Sequence, residues 1–200
     1  MKGYKRTMSA KPIVAFAALL MSAQPASAAP PQLAPEAERE IVVPDGTTFA
    51  PAAADEDAAL NRFVAYTMAL AKRDYDAAYA MLRLSFQASN PRLEWEMNQR
   101  KRPQLWADGR IRILRLSWYP DPAGQPPGLY AAFDFRGDRD DGTMDCGYVV
   151  VHRAPPAAAF TIVRVDASEV PPDLMEDGVP KVDVLRQLPC WLGKGIATAF

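Results

Sequence analysis

The sequence predicts an α+β domain in which three N-terminal helices pack on a curved, four-stranded antiparallel meander. Three observations lead there. Apolar residues recur at helical spacing from Asp55 to about Arg102. Beyond Pro103 the period changes from 3.6 to 2. The resulting β-rich runs are separated only by short turn-forming stretches, too short for crossovers, so neighbours pair antiparallel.

The elements follow in chain order. Lys2, Lys5, Arg6 and Lys11 form a basic start, Pro12 to Ala23 an apolar run, and Ala26, Ser27 and Ala28 a small-residue cleavage site. This is the order of a secretory signal, expected to be removed as residues 1–28. The run falls short of the roughly 20 residues that a membrane-spanning helix needs, and no Cys near the cleavage site offers a lipid anchor. The expected location is the periplasm or the exterior, with no stable membrane insertion of the mature chain. Cleavage would leave 172 of the 200 residues, one domain of ordinary size, and would take the formal charge from −1 to −5. An acidic chain lacks the dense basic surface that nucleic acid or anionic lipid requires.

Residues 29–54, rich in Pro and Ala, read as a linker; its inner piece "REIVVPDGTTF" adds at most a short strand that Pro44 and Gly46 end. The domain is expected over 55–168. Its first helix places Leu60, Phe63, Val64, Thr67, Met68 and Ala71 on one side, with Asp55, Glu56 and Asp57 at its start and Lys72 and Arg73 at its end, as the helix dipole favours. A second helix over "DYDAAYAMLRLSF" turns Tyr75, Ala78, Tyr79 and Leu82 inward. A third begins at "SNPRLEWEMNQRKR": Asn90 caps it, Pro91 opens it, and Leu93 and Met97, with Trp95, face inward. Four strands follow at 110–119, 128–136, 146–153 and 159–166. The tail, 169–200, holds Val184, Leu185, Leu188, Trp191 and Leu192, too many large apolar groups for a solvated coil, and is expected to dock on the domain.

The stretch "FVAYTMALAKRDYDAAYAML", followed by the meander, resembles the cone-shaped fold of nuclear transport factor, ketosteroid isomerase and scytalone dehydratase. With Trp95 in the third helix, Arg100 to Arg102 soon after and "GLYAAFDF" as a strand, residues 55–168 also resemble a group of small exported bacterial domains of unknown function. Phe160 stands where that group often carries a Trp, and the Cys-bearing tail lies outside the pattern. The resemblance implies a pocket between the concave sheet and the helices, where Asp, His and Tyr act as acid–base groups in the enzymes of the fold. It implies a fold rather than an activity, since one fold hosts many functions.

Cys146 and His152 raise the question of a thiol catalyst. They lie on one strand, six positions apart, so their Cα atoms are roughly 20 Å apart while a nucleophile and its base need about 3 Å. An even count of two cysteines in an exported chain favours a disulfide between Cys146 and Cys190. That bond would close a loop of about 45 residues and stabilise the fold by roughly 4 kcal/mol in the chain-entropy model.

Two arrangements are open for the remaining candidates. Asp134 shares a strand face with Tyr130, and His152 shares one with Tyr148; were those faces to line the pocket, the four residues would form an acid–base cluster suited to abstracting a proton next to a carbonyl. The alternation of Leu129, Ala131, Phe133 and Phe135 favours the opposite face as the buried one, leaving Asp134, Tyr130 and Arg136 in solvent, with His152 exposed near its strand end. The acidic "GDRDDGTMD" lacks the twelfth-position Glu of a calcium loop and reads as a hairpin turn. No metal-ligand spacing, phosphate loop or dinucleotide fingerprint is present, so no cofactor is expected. The function expected is an exported, non-catalytic domain that binds a partner protein or a small apolar ligand among its aromatic groups, with homodimerisation through a sheet face open. The alternative is an isomerase, dehydratase or hydrolase using a pocket Asp with Tyr or His. A filled cone favours the first, and a cavity with Asp134 or His152 buried in its wall favours the second.

Overall fold

The computed structural model describes residues 30–43, 47–101, 111–157 and 159–172. The expected signal segment, most of the tail and Cys190 lie outside the described residues. The fold is α+β, in the order β1 (Gln32–Ile41), α1 (Ala53–Ala71), α2 (Tyr75–Ala80), α3 (Leu84–Ser89), α4 (Arg92–Lys101), β2 (Ile111–Pro120), β3 (Leu129–Asp138), β4 (Met144–Arg153) and β5 (Thr161–Val170). The described strands form one sheet in the order β1-β2-β3-β4-β5. β2 to β5 are the expected antiparallel meander.

Among the described residues the sheet has one strand more than the sequence pattern predicts. Residues 32–41, read as a linker, pair with β2 as a parallel edge strand. A parallel pair needs a long crossover, and the helices between β1 and β2 supply it. Pro35 escapes the usual penalty for proline in a sheet because it falls in the irregular stretch between Leu33 and Glu38, where the register shifts. The Arg39 guanidinium donates to Glu56 of α1 at 2.8 Å and ties the strand to the helix.

The second expected helix divides into α2 and α3. The chain at Met81–Arg83 leaves the helix to bond β5: Ile162 N–H donates to Met81 O (2.9 Å) and Arg83 N–H to Ile162 O (2.8 Å). Asp74 caps α2 by accepting from Ala77 N–H at 3.0 Å. At the break the Gln87 side-chain amide donates to the carbonyls of Tyr79 and Leu82 (2.9 and 3.0 Å). Asn90 ends α3 rather than opening α4, with its side-chain amide donating back to Phe86 O at 2.9 Å.

The inward face of α4 also differs from expectation. Trp95 is buried between Tyr75 and Tyr79, at ring-centroid distances of 6.4 and 5.2 Å, whereas Leu93 and Met97 are exposed. Residues two positions away on a helix point to roughly the opposite side, so burying the indole turns both out.

The core lies between α1 and the sheet. Phe63 of α1 stacks on Phe133 (5.1 Å between centroids) and meets Phe135 at 6.2 Å. Ile113, Leu116, Trp118, Val149, Val151 and Ile162 complete the packed face. Residues Leu129, Ala131, Phe133 and Phe135 thus face the helices, as their alternation predicts. Their neighbours Tyr130 and Asp134 are buried as well, while Ala132 and Arg136 are half-buried.

Candidate functional site

Two bulges set the composition of the sheet face away from α1. Simple alternation from Ile111 and Ile113 would put Arg115 in the core. An extra residue between Ile113 and Arg115 shifts the phase of β2. Leu116 and Trp118 then continue the core, while Arg115, Ser117 and Tyr119 turn to the other face. β5 repeats the device. Ile162 pairs with Val151 and Arg164 with Val150, leaving Val163 extra between them. Ile162 stays in the core and Arg164 turns outward beside Tyr148, its guanidinium carbon 5.1 Å from the ring centroid.

A cavity of about 1000 Å³ lies on this face. Tyr130, Ala132 and Asp134 of β3 and Tyr148 and Val150 of β4 form its floor. Glu40 of β1, Arg83 and Ser85 around the start of α3, and the turn at Pro122–Pro126 form its walls. The region between α1 and the sheet, where the cone-fold resemblance places a pocket, is filled by side chains instead.

The four candidate acid–base residues do share this face, as two cross-strand pairs: Tyr130 opposite His152, and Asp134 opposite Tyr148. The expectation that Asp134, Tyr130 and His152 face solvent is corrected, for their exposures are 6 %, 6 % and 2 %. Different neighbours bury each pair. Arg115 covers Asp134, its Nε donating to Oδ2 at 2.6 Å. The 122–128 turn folds over Tyr130, whose hydroxyl donates to Pro126 O at 2.8 Å. His152 stacks on the Tyr130 ring with 4.1 Å between centroids. Gly128, at φ 136°, lets the turn close on the imidazole: a Cβ there would sit 2.5 Å from Nε2.

The two pairs are four residues apart along extended strands, about 13 Å. Asp134 and His152 therefore cannot act on one proton. The partners of His152 fix its state. Pro127 O, 3.0 Å from Nε2, can only accept, and the Arg83 guanidinium, 3.4 Å from Nδ1, can only donate. The ring is the neutral tautomer with its proton on Nε2. Burial lowers the His152 pKa from its ordinary 6.5; the Pro127 carbonyl opposes this and the charge of Arg83 adds to it.

Burial raises the Asp134 pKa above its ordinary 3.8 despite the pull of Arg115, and Glu40 and Glu38 push the same way as burial. For Arg115 burial acts to lower the pKa, and the hydrogen bond and charge of Asp134, together with the charges of Glu40 and Tyr119, outweigh it. Glu40 completes the cluster, accepting from Ser117 Oγ at 3.1 Å and lying 3.9 Å from Arg115. Burial raises the pKa of Tyr148; Arg164 opposes it and Asp166 adds to it.

Sequence reasoning grouped Tyr130, Asp134, Tyr148 and His152 but missed Arg83, Arg115 and Arg164. A signal for the last two exists. In "IRILRLSW" the apolar phase moves from odd positions, Ile111 and Ile113, to even ones, Leu116 and Trp118; "FTIVRV" shows the same shift between Ile162 and Val165.

β4 runs unbroken from Met144 to Arg153, so Cys146 and His152 stay far apart along it. Cys146 is fully buried. Among the described residues no group of three or more His, Cys, Asp or Glu side chains is placed to hold a metal ion, and no helix is long and apolar enough to cross a membrane. No protein-family model matches the chain, and no curated protein and no solved structure matches it.

Proposed function

We propose that this chain is an exported, non-catalytic binding domain whose cavity takes a small, largely apolar organic molecule. The carrying observation is the cavity of about 1000 Å³, whose floor is made of tyrosine rings, Ala132, Val150 and an Asp134 already held by Arg115. A volume of this order suits a small organic ligand. The candidate catalytic groups are already engaged: Asp134 by Arg115, the Tyr130 hydroxyl by Pro126, and both nitrogens of His152 by Pro127 and Arg83. The helices leading into a meander, with a filled helix–sheet interior, fit a cone-like domain used as a scaffold.

The neutral dye N-phenyl-1-naphthylamine tests this reading. Its fluorescence is expected to rise on binding the mature chain. Ala132→Trp, which fills the cavity floor, should abolish the rise while leaving the circular dichroism spectrum intact. A dye that gains no fluorescence with the parent chain, or binds the variant equally, overturns the proposal.

One observation favours a second reading. Asp134 is buried in the cavity wall with a raised pKa, as an acid–base enzyme of the isomerase or dehydratase type would require. Under that reading a ligand would have to displace Arg115 from the carboxylate.

Export rests on the basic start, apolar run and small-residue site at residues 1–28. In the exported chain Cys146 would be joined to Cys190, the other cysteine of the sequence; no described cysteine is free. Intact-mass measurement of secreted protein tests both points. Loss of residues 1–28 and a gain of two hydrogens on reduction are expected.

A further inference from the structure

We propose that the ligand of the cavity carries an acidic group, a carboxylate or sulfonate, and that Arg83 is the residue that reads it. The inference rests on the binding reading above and deepens it by naming the ligand's chemistry.

Arg83 is half-buried and lines the cavity at its Tyr130 end. The other cavity cations are engaged. Arg115 is bonded to Asp134 at 2.6 Å, and Arg164 lies over the Tyr148 ring. Elsewhere Arg39, Arg92, Arg139 and Arg153 each face a carboxylate within 2.8 Å. Among the described residues Arg83 has no such partner; its bond there is to the neutral Nδ1 of His152. A guanidinium presents five N–H donors in a rigid fork, so four remain after that bond. The fork matches a planar anion with two parallel hydrogen bonds.

His152 makes this arrangement specific. Its Nδ1 holds one edge of the fork without neutralising it, because an uncharged imidazole accepts a hydrogen bond and supplies no negative charge. The ring itself is clamped by Tyr130, Pro127 O and the bare Cα of Gly128. The guanidinium is thus positioned and left charged. The acidic groups of the cavity, Glu40 and Asp134, sit at its other end and share Arg115. Tyrosine rings and Val150 offer an apolar bed beside the Arg83 end, so a ligand with an aromatic or aliphatic body and one acidic group fits the distribution of charge.

The test compares two dyes built on one skeleton, the neutral N-phenyl-1-naphthylamine and the anionic 8-anilinonaphthalene-1-sulfonate, titrated against the full mature chain. The sulfonate is expected to bind about tenfold more tightly, the effect of one charge-assisted contact in a partly buried site. Arg83→Gln should remove this preference, bringing the affinities for the two dyes within about twofold of each other. Should that variant fail to fold, the salt dependence of the parent decides: affinity for the sulfonate should weaken from low to high ionic strength and that for the neutral dye should not. Equal affinities for the two dyes, a preference that survives Arg83→Gln, or a sulfonate affinity indifferent to salt would each overturn the inference and leave the cavity reading standing. Failure of the neutral dye to bind the parent chain overturns the cavity reading itself.

Discussion

The His152 imidazole lies face to face with the Tyr130 ring, their centroids 4.1 Å apart and their planes 28° apart, on the opposite side of the sheet from α1. This contact seals a histidine that accepts from an arginine and donates to a carbonyl, an arrangement open only to the neutral ring. Because burial depresses the folded-state pKa below 6.5, the unfolded chain takes up the proton first as pH falls. The stability contributed by neutral His152 is complete above about 6.5 and is lost as pH drops toward the folded-state pKa. Urea unfolding of the parent and of His152→Phe at pH about 8 and about 5 should show the parent losing more stability across that range. Parallel losses in the two proteins would mean that other groups carry the pH dependence.

Arg115 and Asp134 form the second buried pair of this face. Arg115→Met leaves a desolvated carboxylate with Glu40 and Glu38 nearby, and should cost about 3–5 kcal/mol near neutral pH. The folded variant holds a proton on Asp134 more readily than the unfolded chain does, so its deficit should shrink as pH falls. Arg115→Met combined with Asp134→Leu should cost clearly less than the two single changes added together. A double-mutant cycle by chemical denaturation measures this, and strict additivity would refute the pairing.

Asp145, fully buried on β4, accepts two hydrogen bonds from Arg139 across the β3–β4 hairpin, at 2.7 and 2.6 Å. Asp145→Ala should cost about 3–5 kcal/mol through the loss of both short bonds to a guanidinium that keeps only Glu169, 3.4 Å away, and Asp145→Asn less. Amide hydrogen exchange in residues 137–145 should speed up by the corresponding factor.

Gly147 pairs with Ala167 and lies against the backbone of β5. A Cβ there would overlap Asp166 O and lie 2.7 Å from Ala167 Cα, both backbone atoms of β5. Gly147→Ala is therefore expected to destabilise by about 1–3 kcal/mol, read as a lower thermal midpoint. An unchanged midpoint would show that β5 can yield there.

Helix α4 separates exposure from burial within five residues. Leu93→Gln and Met97→Gln, on the exposed side, should each shift stability by no more than about 0.5 kcal/mol. Trp95→Ala should cost about 3–5 kcal/mol by opening the contact with Tyr75 and Tyr79.

The sequence by itself determined the α+β class, the order of helices before meander, the limits of β2 to β4 to within about two residues and the start of β5, though not its end at Val170, and the face of β3 that meets Phe63. Those features are local: they follow from hydrophobic period and turn chemistry, which act over a few residues. It also grouped Tyr130, Asp134, Tyr148 and His152, because alternation along neighbouring strands is enough to place them on one face. Only the tertiary structure decided the rest. β1 forms because β2 offers it an edge, and nothing in an Ala- and Pro-rich stretch announces that partner. Met81–Arg83 gives up helix because Ile162, eighty residues on, takes its hydrogen bonds. Arg115 and Arg164 reach the cavity because a single extra residue in each strand reverses its phase. Asp134 and His152 are buried by side chains and turns brought from elsewhere in the chain. Burial of a polar group is set by what packs against it, and that is a property of contacts between distant segments rather than of the segment that carries the group.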